Sequence, residues 1–396
     1  MKQEVRPVRE QRSSPVAAIV WLIVGLTSCA IGCGSGRNAE LPLSHGETNV
    51  IMITLCSLRA DHLGIYGYSK KLSPRLDQLA REGILFEEVL APAPWTRPSI
   101  AAMITGLYPR SLEIEDPGPG RNDRVLGANF ETLAERMASA GYFTIGITAN
   151  LNSNAVFNFN QGYAAYSDTG LLWRDGYMDH KITAAKVADS LLAHLAHAGG
   201  RAFFAHLVLV DMHAPFMSAV AAKAGIPLEG TGPIAEYDRQ LRYADGVIAD
   251  LLAKLSEQGF DNLLVIVNSD HGEGFGENHI SDQGHGATLY DSTIWVPWIV
   301  HHPALVTRPR RLGGRVELVD MMPTLLDLLQ IHYDPKTLEG RSHARSILEG
   351  TQIEVRDAGV VETQYRAANQ SAIVVDGHKL IVNYASGTAP SLTLFD

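Results

Sequence analysis

Three apolar runs in this chain end in residues that can hold ions or move protons. Asn49 to Leu55 runs into Cys56-Ser57-Leu58-Arg59-Ala60-Asp61-His62, Ala202 to Val210 into Asp211-Met212-His213, and Asn262 to Asn268 into Ser269-Asp270-His271-Gly272-Glu273. An adjacent Asp-His pair offers one carboxylate and one imidazole to a single cation, and the glycine behind it lets the backbone turn tightly. Gly284-His285-Gly286 then sets another imidazole between two residues that allow close backbone approach. Any one of these histidines, taken alone, is more often a surface or hydrogen-bonded residue; their coincidence at run ends favours a site. In a fourth segment, Trp95-Thr96-Arg97-Pro98-Ser99-Ile100, Pro98 suits the first turn of a helix ending at Gly106. Thr96 then sits beside a helix N-terminus, where free N–H groups and the macrodipole favour negative charge, so its hydroxyl could ionise and attack. The competing reading is that Thr96 or Arg97 caps the helix. Cys56 reads either as a ligand or as a buried inert thiol, and Glu273, Glu277 and His279 either as support for the Asp-His pair or as part of a solvated loop.

Strands and helices must bring these groups together. Apolar, β-branched runs predict strands over Asn49 to Leu55, Tyr142 to Thr148, Ala202 to Val210, Asn262 to Asn268 and Trp295 to Val300. Apolar residues at helical spacing predict helices over Pro74 to Arg81, Glu131 to Ala140, His180 to Ala198, Tyr237 to Gln258 and Leu318 to Gln330. The alternation implies an α/β fold with a mainly parallel central sheet sandwiched by helices. Ligands of such sheets bind outside the carboxyl ends of the strands, where the loaded segments begin. Beyond residue 355, short alternating runs (GVVET, SAIVVD, HKLIVNYA) without a long helix predict a small C-terminal antiparallel appendage. The domain reading is therefore a leader over 1–33, a linker over 34–48, a catalytic α/β domain over 49–354 and an antiparallel subdomain over 355–396.

Composition sets the outer bounds. Of 396 residues, 46% are hydrophobic and 19% charged, the profile of a folded catalytic or binding domain. The formal charge is −10, and no basic excess remains to neutralise phosphates in bulk, which excludes a nucleic-acid partner. Three cysteines are too few for a disulfide scaffold. Residues 13–36 carry no charge, and VAAIVWLIVGL within them reads as a targeting segment. Leu26-Thr27-Ser28-Cys29 resembles a bacterial lipoprotein cleavage box, with Cys33 a weaker second candidate; an uncleaved span over Val16 to Cys33 or plain secretion are the alternatives. Each exports the domain, and the first two hold it at a membrane of the cell envelope, with a periplasmic location expected. No G-x-S-x-G elbow, Walker loop or H-E-x-x-H is present.

Asn49 to Arg59, Trp95 to Gly106, Ser269 to Gly276 and Gly284 to Asp291 (GHGATLYD) together resemble the sulfatase branch of the alkaline phosphatase superfamily. Asp211-Met-His213-Ala-Pro215 resembles that family's "D-x-H-x-P" turn, Val319 to Leu329 its "VDLxPTLLDL" helix, and Leu394-Phe395-Asp396 the start of its "LYDLxxDPxE" tail, which implies a truncated C-terminus. The resemblance implies a metal-dependent hydrolase of sulfate or phosphate esters working through a covalent intermediate on Thr96. Asp270, His271 and Cys56 match metal ligands, and His213 and His285 match the histidines that hold the substrate anion or complete the metal site. Two departures stand out. Sulfatases convert a Cys or Ser of "C/S-x-P-S-R" to formylglycine, whereas this chain has Thr96, and Ile100 at the Arg position. Threonine is instead the nucleophile of the superfamily's phosphodiesterases and its phosphoethanolamine or phosphoglycerol transferases. Cys56 stands where the family has Asp; thiolate suits zinc and not calcium, so the expected cofactor is a divalent metal ion, zinc over calcium. The implied partner is a small anionic ester or a sulfated or phosphorylated glycan or lipid. The alternatives are a transferase of the kind named and a catalytically silent protein that binds anionic glycans.

Overall fold

The computed structural model describes residues 43–396 apart from 115–123, 169–182, 217, 278–282, 306–309, 355, 357, 366–367, 385–388 and 396. The leader over 1–33 and His279 lie outside the described residues. Leu41–Asp396 forms one compact unit. Leu43 is already core, 1% exposed, and its carbonyl accepts from Gln330 Nε2 at 2.6 Å.

Ten of its strands, in chain order, are β1 (Asn49–Leu55), β2 (Ile84–Leu90), β3 (Phe143–Thr148), β4 (Ala165–Ser167), β5 (Phe203–Leu209), β6 (Leu263–Asn268), the two-residue β7 (Gly274–Phe275) and β8 (Gln283–Gly284), β9 (Trp298–His301) and β10 (Arg310–Glu317). All but β7 and β8 join one sheet in the order β10-β2-β9-β6-β1-β5-β3-β4. Only β9 runs antiparallel to its neighbours, so the sheet is mainly parallel as the sequence implies. The central strands bury both faces. Val50 and Met52 of β1 enter one core layer with Phe204 and Ile266, while Ile51, Ile53 and Leu55 enter the other with Phe203 and Val265. That double burial is why these strands read as unbroken apolar runs.

Strands β2 and β10 escaped the sequence reading, because ILFEEVL and RRLGGRVE break the apolar pattern with charges and glycines. Their charges meet in pairs: Arg315 Nε reaches Glu88 Oε1 at 2.7 Å and Arg311 Nε reaches Glu87 Oε1 at 2.7 Å. The edge position of β10 tolerates this polarity, and its charges, paired with those of the adjoining β2, blunt the exposed edge. The expected strand over Trp295 to Val300 begins three residues later, at Trp298, after a short helix over Asp291–Ile294.

The helices lie close to their expected places. Pro74–Glu82, Leu133–Ser139, Ala184–Leu195 and Pro233–Glu257 are observed, and Leu318–Asp320 forms a 3-10 turn ahead of a helix over Met321–Leu328. Leu133–Ser139 starts two residues later than expected because Thr132 and Glu135 form a reciprocal capping box.

The C-terminal strands β11 (Gly359–Tyr365), β12 (Ala368–Val375), β13 (His378–Asn383) and β14 (Ser391–Phe395) form one antiparallel sheet. Its inner face, Val361, Ala372, Val374 and Ile381, packs on Leu90, Leu289 and Ile294. This contact sets Tyr365 against Trp95, the residue before Thr96, with ring centroids 5.3 Å apart.

Candidate active site

The ends of β1 and β6 supply a tight cluster. Cys56 follows β1 directly; Asp270 and His271 follow β6 by two and three residues. The Cys56 sulfur, an Asp270 carboxylate oxygen and a His271 ring nitrogen all lie within 4.8 Å of one another. Local hydrogen bonds fix the turns that carry them. Ser269 Oγ donates to Leu55 O at 2.7 Å and accepts from Leu58 N at 2.9 Å, while Asp270 Oδ1 accepts from Ser57 N at 3.2 Å and His271 N at 2.9 Å. Gly272 is required behind His271, since a Cβ there would lie 2.0 Å from Ser292 O.

Thr96 opens a helix over Thr96–Thr105 whose N-cap is Trp95, and no side chain caps it. The capping reading of Thr96 therefore fails. Its Oγ1 lies 3.2 Å from His271 Nε2, 3.0 Å from Asn150 Nδ2 and 3.6 Å from Cys56 Sγ. Ser99, one turn on, donates to Asp270 O at 2.5 Å, which joins this helix to the ligand turn. Ile100, at the position resembling the family's arginine, is 1% exposed and packs in the apolar core.

Asn150, two residues beyond the end of β3, is the residue the sequence reading missed. Its Nδ2 donates to both Thr96 Oγ1, at 3.0 Å, and Cys56 Sγ, at 3.1 Å. The amide cannot flip, because Oδ1 accepts from Asn152 N at 2.8 Å while capping the 3-10 turn Leu151–Ser153. Asn152 Oδ1 in turn accepts from Arg97, whose guanidinium lies 3.6 Å from the Phe157 ring centroid. The signal was available: Asn150 lies two residues beyond a strand candidate, as Asp270 does, but an Asn ahead of a turn reads first as a cap.

The two remaining candidates extend the cluster. The His285 ring stacks on His271 at 4.4 Å, and His213 meets His285 edge-on at 4.7 Å. Glu273 accepts from His285 Nδ1 at 3.1 Å. Burial pushes the Glu273 carboxyl up, but His285, His213 and His271 together outweigh burial and hold it below the usual carboxylate range. A Cβ on Gly286 would meet the Tyr365 ring at 2.7 Å, so glycine is needed there too. All six predicted site residues thus fall in one connected group. Three of their neighbours do other work. Asp211 accepts from Ala184 N, 3.0 Å away, at the start of helix Ala184–Leu195, Asp61 pairs with Arg59 at 2.7 Å, and Glu277 pairs with the same guanidinium at 2.5 Å.

The electrostatics of the cluster point to a cation. Burial, then the Asp270 charge, pushes the Cys56 thiol well above its ordinary range, and burial lowers the His271 imidazole, so both are neutral in the protein alone. His271 Nδ1 lies 2.8 Å from Gly272 O, which only a protonated Nδ1 can satisfy, and this leaves a lone pair on Nε2. Asp270 Oδ2 is buried without a hydrogen-bond partner, and its near neighbour is that Nε2, 3.4 Å away. Two lone pairs facing each other beside a buried thiol are poorly matched until a positive charge lies between them. Sulfur, oxygen and nitrogen donors at this spacing fit a divalent metal, whose charge reverses the pressure on the thiol.

The fold is thus an α/β fold with a mainly parallel sheet, and at the ends of its strands it brings together a histidine cluster, a cation-ready ligand set and a hydroxyl at a helix N-terminus. The sulfatase family profile matches residues 48–331, and the chain belongs to the sulfatase family. An N-acetylgalactosamine-6-O-sulfatase of Bacteroides thetaiotaomicron is 30% identical over 121 residues, 30% of this chain and 22% of that protein. The chain thus matches about a fifth of that relative's length. YidJ of Escherichia coli, an uncharacterised sulfatase, is 23% identical over 357 residues, covering 74% of this chain and 70% of its own. Among solved structures, a phosphonate monoester hydrolase of Agrobacterium radiobacter superposes with a TM-score of 0.66 at 19% identity, covering 87% of this chain and 89% of its own. A protein solved with its substrate D-glucosamine-2-N,6-O-disulfate gives a TM-score of 0.70 at 16% identity, covering 88% and 91%. Both structural likenesses establish the fold.

Proposed function

We propose that this chain is a metal-dependent hydrolase that uses Thr96 as its nucleophile and prefers phosphate esters to sulfate esters, including those on glycans. One observation carries the reading: Thr96 Oγ1 sits within 3.0–3.6 Å of Asn150, His271 and Cys56, where three chain segments converge on a cation-ready set. Cys56, Asp270 and His271 would hold a divalent ion, zinc before calcium because of the sulfur, and such an ion lowers the pKa of a nearby hydroxyl and offsets charge on the ester.

The protein's own groups do the rest. In the protein alone Thr96 donates its proton toward His271 Nε2 and accepts from Asn150, so its reactive lone pairs are already aimed. Attack by Thr96 Oγ1 forms an O–P bond and breaks the bond to the leaving alcohol, which departs with a proton; water then cleaves the phosphothreonine and regenerates the hydroxyl. Asn150 Nδ2 stabilises the oxygen as it gains charge. His285, oriented by Glu273, and His213 hold the ester anion. Sulfuryl transfer to Thr96 is less favourable, since the resulting sulfate ester lacks the collapse route that a formylglycine hemiacetal provides.

Burial favours a second reading. Thr96 is 1% exposed and Cys56 fully enclosed, which also suits a silent protein that binds anionic glycans. Turnover of matched aryl phosphate monoester, phosphate diester and aryl sulfate by wild type and Thr96→Ala separates the two. Hydrolysis by the wild type alone supports the enzyme; no turnover of any ester with metal bound supports the silent protein. Adding glycerol or ethanolamine as acceptor distinguishes hydrolase from transferase. We also propose export and anchoring through residues 1–33, with Cys29 lipidated, on the sequence alone; among the described residues no helix is long and apolar enough to cross a membrane. Globomycin-sensitive processing with acylation of Cys29 tests that part.

A further inference from the structure

One residue layer below the ligand ends, a line of polar side chains crosses the otherwise apolar centre of the sheet. Tyr163 OH lies 3.2 Å from His206 Nδ1 in β5, and His206 Nε2 lies 3.0 Å from Thr54 Oγ1 in β1. Thr54 donates to Asn268 Oδ1 in β6 at 2.9 Å, and Asn268 Nδ2 donates to Met103 Sδ, in helix Thr96–Thr105, at 2.7 Å. The direction of every bond is fixed. Asn268 must turn its amide hydrogens to Met103, because a thioether cannot donate, so its carbonyl faces Thr54. Thr54 has one proton and spends it there, so it accepts from His206 Nε2–H; His206 Nδ1 then accepts from Tyr163. Burial pushes His206 down to about 3, so the ring is neutral and has one donor and one acceptor, as the line requires. Thr54 and Asn268 are fully buried, and His206 is 5% exposed.

We propose that Tyr163, His206, Thr54, Asn268 and Met103 are positioning residues that hold the three carriers of the site, β1, β6 and the Thr96 helix, in one mutual placement. The proposal rests on the reading that Cys56, Asp270, His271 and Thr96 form the site. Apolar strands can slip by two residues and keep every side chain on its face. Thr54 is the register partner of Asn268, and Cys56 and Asp270 each follow by the same two residues. A two-residue slip would carry the thiol about 7 Å from its place beside the carboxylate, beyond the 4.8 Å span of the ligand set. It would also orphan a buried amide, a hydroxyl and a ring N–H. Met103 then ties the third carrier to the same line.

The test is made on full-length protein, with ¹⁵N-histidine NMR of the metal-free state and zinc titration calorimetry. Thr54→Val removes the central hydroxyl at nearly constant volume, and Thr54→Ser restores it. The expected result is that Thr54→Val moves the ring signals of His271 as well as those of His206 and weakens zinc binding about tenfold, and that Thr54→Ser returns both to the wild-type values. A variant that loses thermal stability while His271 signals and zinc affinity stay at wild type would overturn the proposal, because the line would then be structural only. Tyr163→Phe, at the half-buried end, is the variant for the case in which Thr54→Val does not fold, and unmoved His271 signals in it overturn the proposal equally. If wild type binds no zinc, the metal reading fails by itself and the His271 signals decide the positioning claim.

Discussion

Asn150 separates what the site needs from what the fold needs. Its Oδ1 caps a 3-10 turn at 2.8 Å, while its Nδ2 serves Thr96 and Cys56 at 3.0 and 3.1 Å. Asn150→Ala removes both functions. The cap contributes about 1 kcal/mol, and the buried donor contributes about 1 kcal/mol more as a net hydrogen bond. Asn150→Ser keeps the cap, since serine caps about as well as asparagine, but it is too short to reach Thr96 or the thiol. Urea unfolding should therefore rank the proteins wild type, Ser, then Ala, with roughly 2 kcal/mol between the ends. Activity should rank differently. A hydrogen bond to an oxygen gaining charge is worth about 1.5–3 kcal/mol, so kcat/KM on an aryl phosphate should fall about 10- to 150-fold in both variants alike. If Asn150→Ser keeps wild-type kcat/KM and only Ala loses it, activity follows the cap, and the donor role assigned to the amide is wrong.

Further outcomes follow from the ligands and the core. Calorimetry should find that Cys56→Ala weakens zinc binding as much as Asp270→Ala does, and that Cys56→Asp moves preference toward Ca²⁺ or Mg²⁺; tight, identical calcium binding by wild type and Cys56→Ala would refute the ligand set. Phosphate monoester should be hydrolysed faster than the matched sulfate, and robust sulfatase activity without phosphatase activity would contradict the threonine chemistry. His206 is held neutral down to about 3 in the fold, whereas in the unfolded chain it takes up a proton below about 6.5. Its folded pKa is depressed, so its contribution is whole above about 6.5 and is lost as pH falls, with a slope approaching 1.4 kcal/mol per pH unit at about pH 5. His206→Gln should flatten the urea midpoint between pH 7 and 5; an unchanged slope would mean that the imidazole is protonated in the fold.

Much of this architecture is legible in the sequence, for a physical reason. Strands buried on both faces, such as NVIMITL and NLLVIVN, announce themselves as apolar runs, and the residues after them must lie at the ligand-binding end of a parallel sheet. Cys56, His213, Asp270 and His271 are singled out this way, whereas Thr96 is marked by the helix start ahead of Pro98 and His285 by its place between two glycines. Strands β2 and β10 were not, because paired charges between neighbouring strands hide a strand from any reading of one segment at a time. Asn150 was hidden by its second role: one side chain caps a turn with its oxygen and serves the site with its nitrogen. Asp211 shows the converse, a carboxylate at a strand end whose hydrogen bonds start a helix. The polar line from Tyr163 to Met103 has no signature in sequence, since its members are separated by up to 214 positions and meet only when the strands are in register.

The most direct test of the account is to trap the intermediate. Wild-type protein loaded with zinc is mixed with an aryl phosphate, quenched in acid within one turnover, digested and analysed by mass spectrometry. The account predicts a phosphoryl group on Thr96 and no adduct in Thr96→Ala, whose turnover should fall by orders of magnitude. Turnover by Thr96→Ala above about a tenth of wild type, or wild-type turnover with Thr96 unmodified throughout, would contradict it.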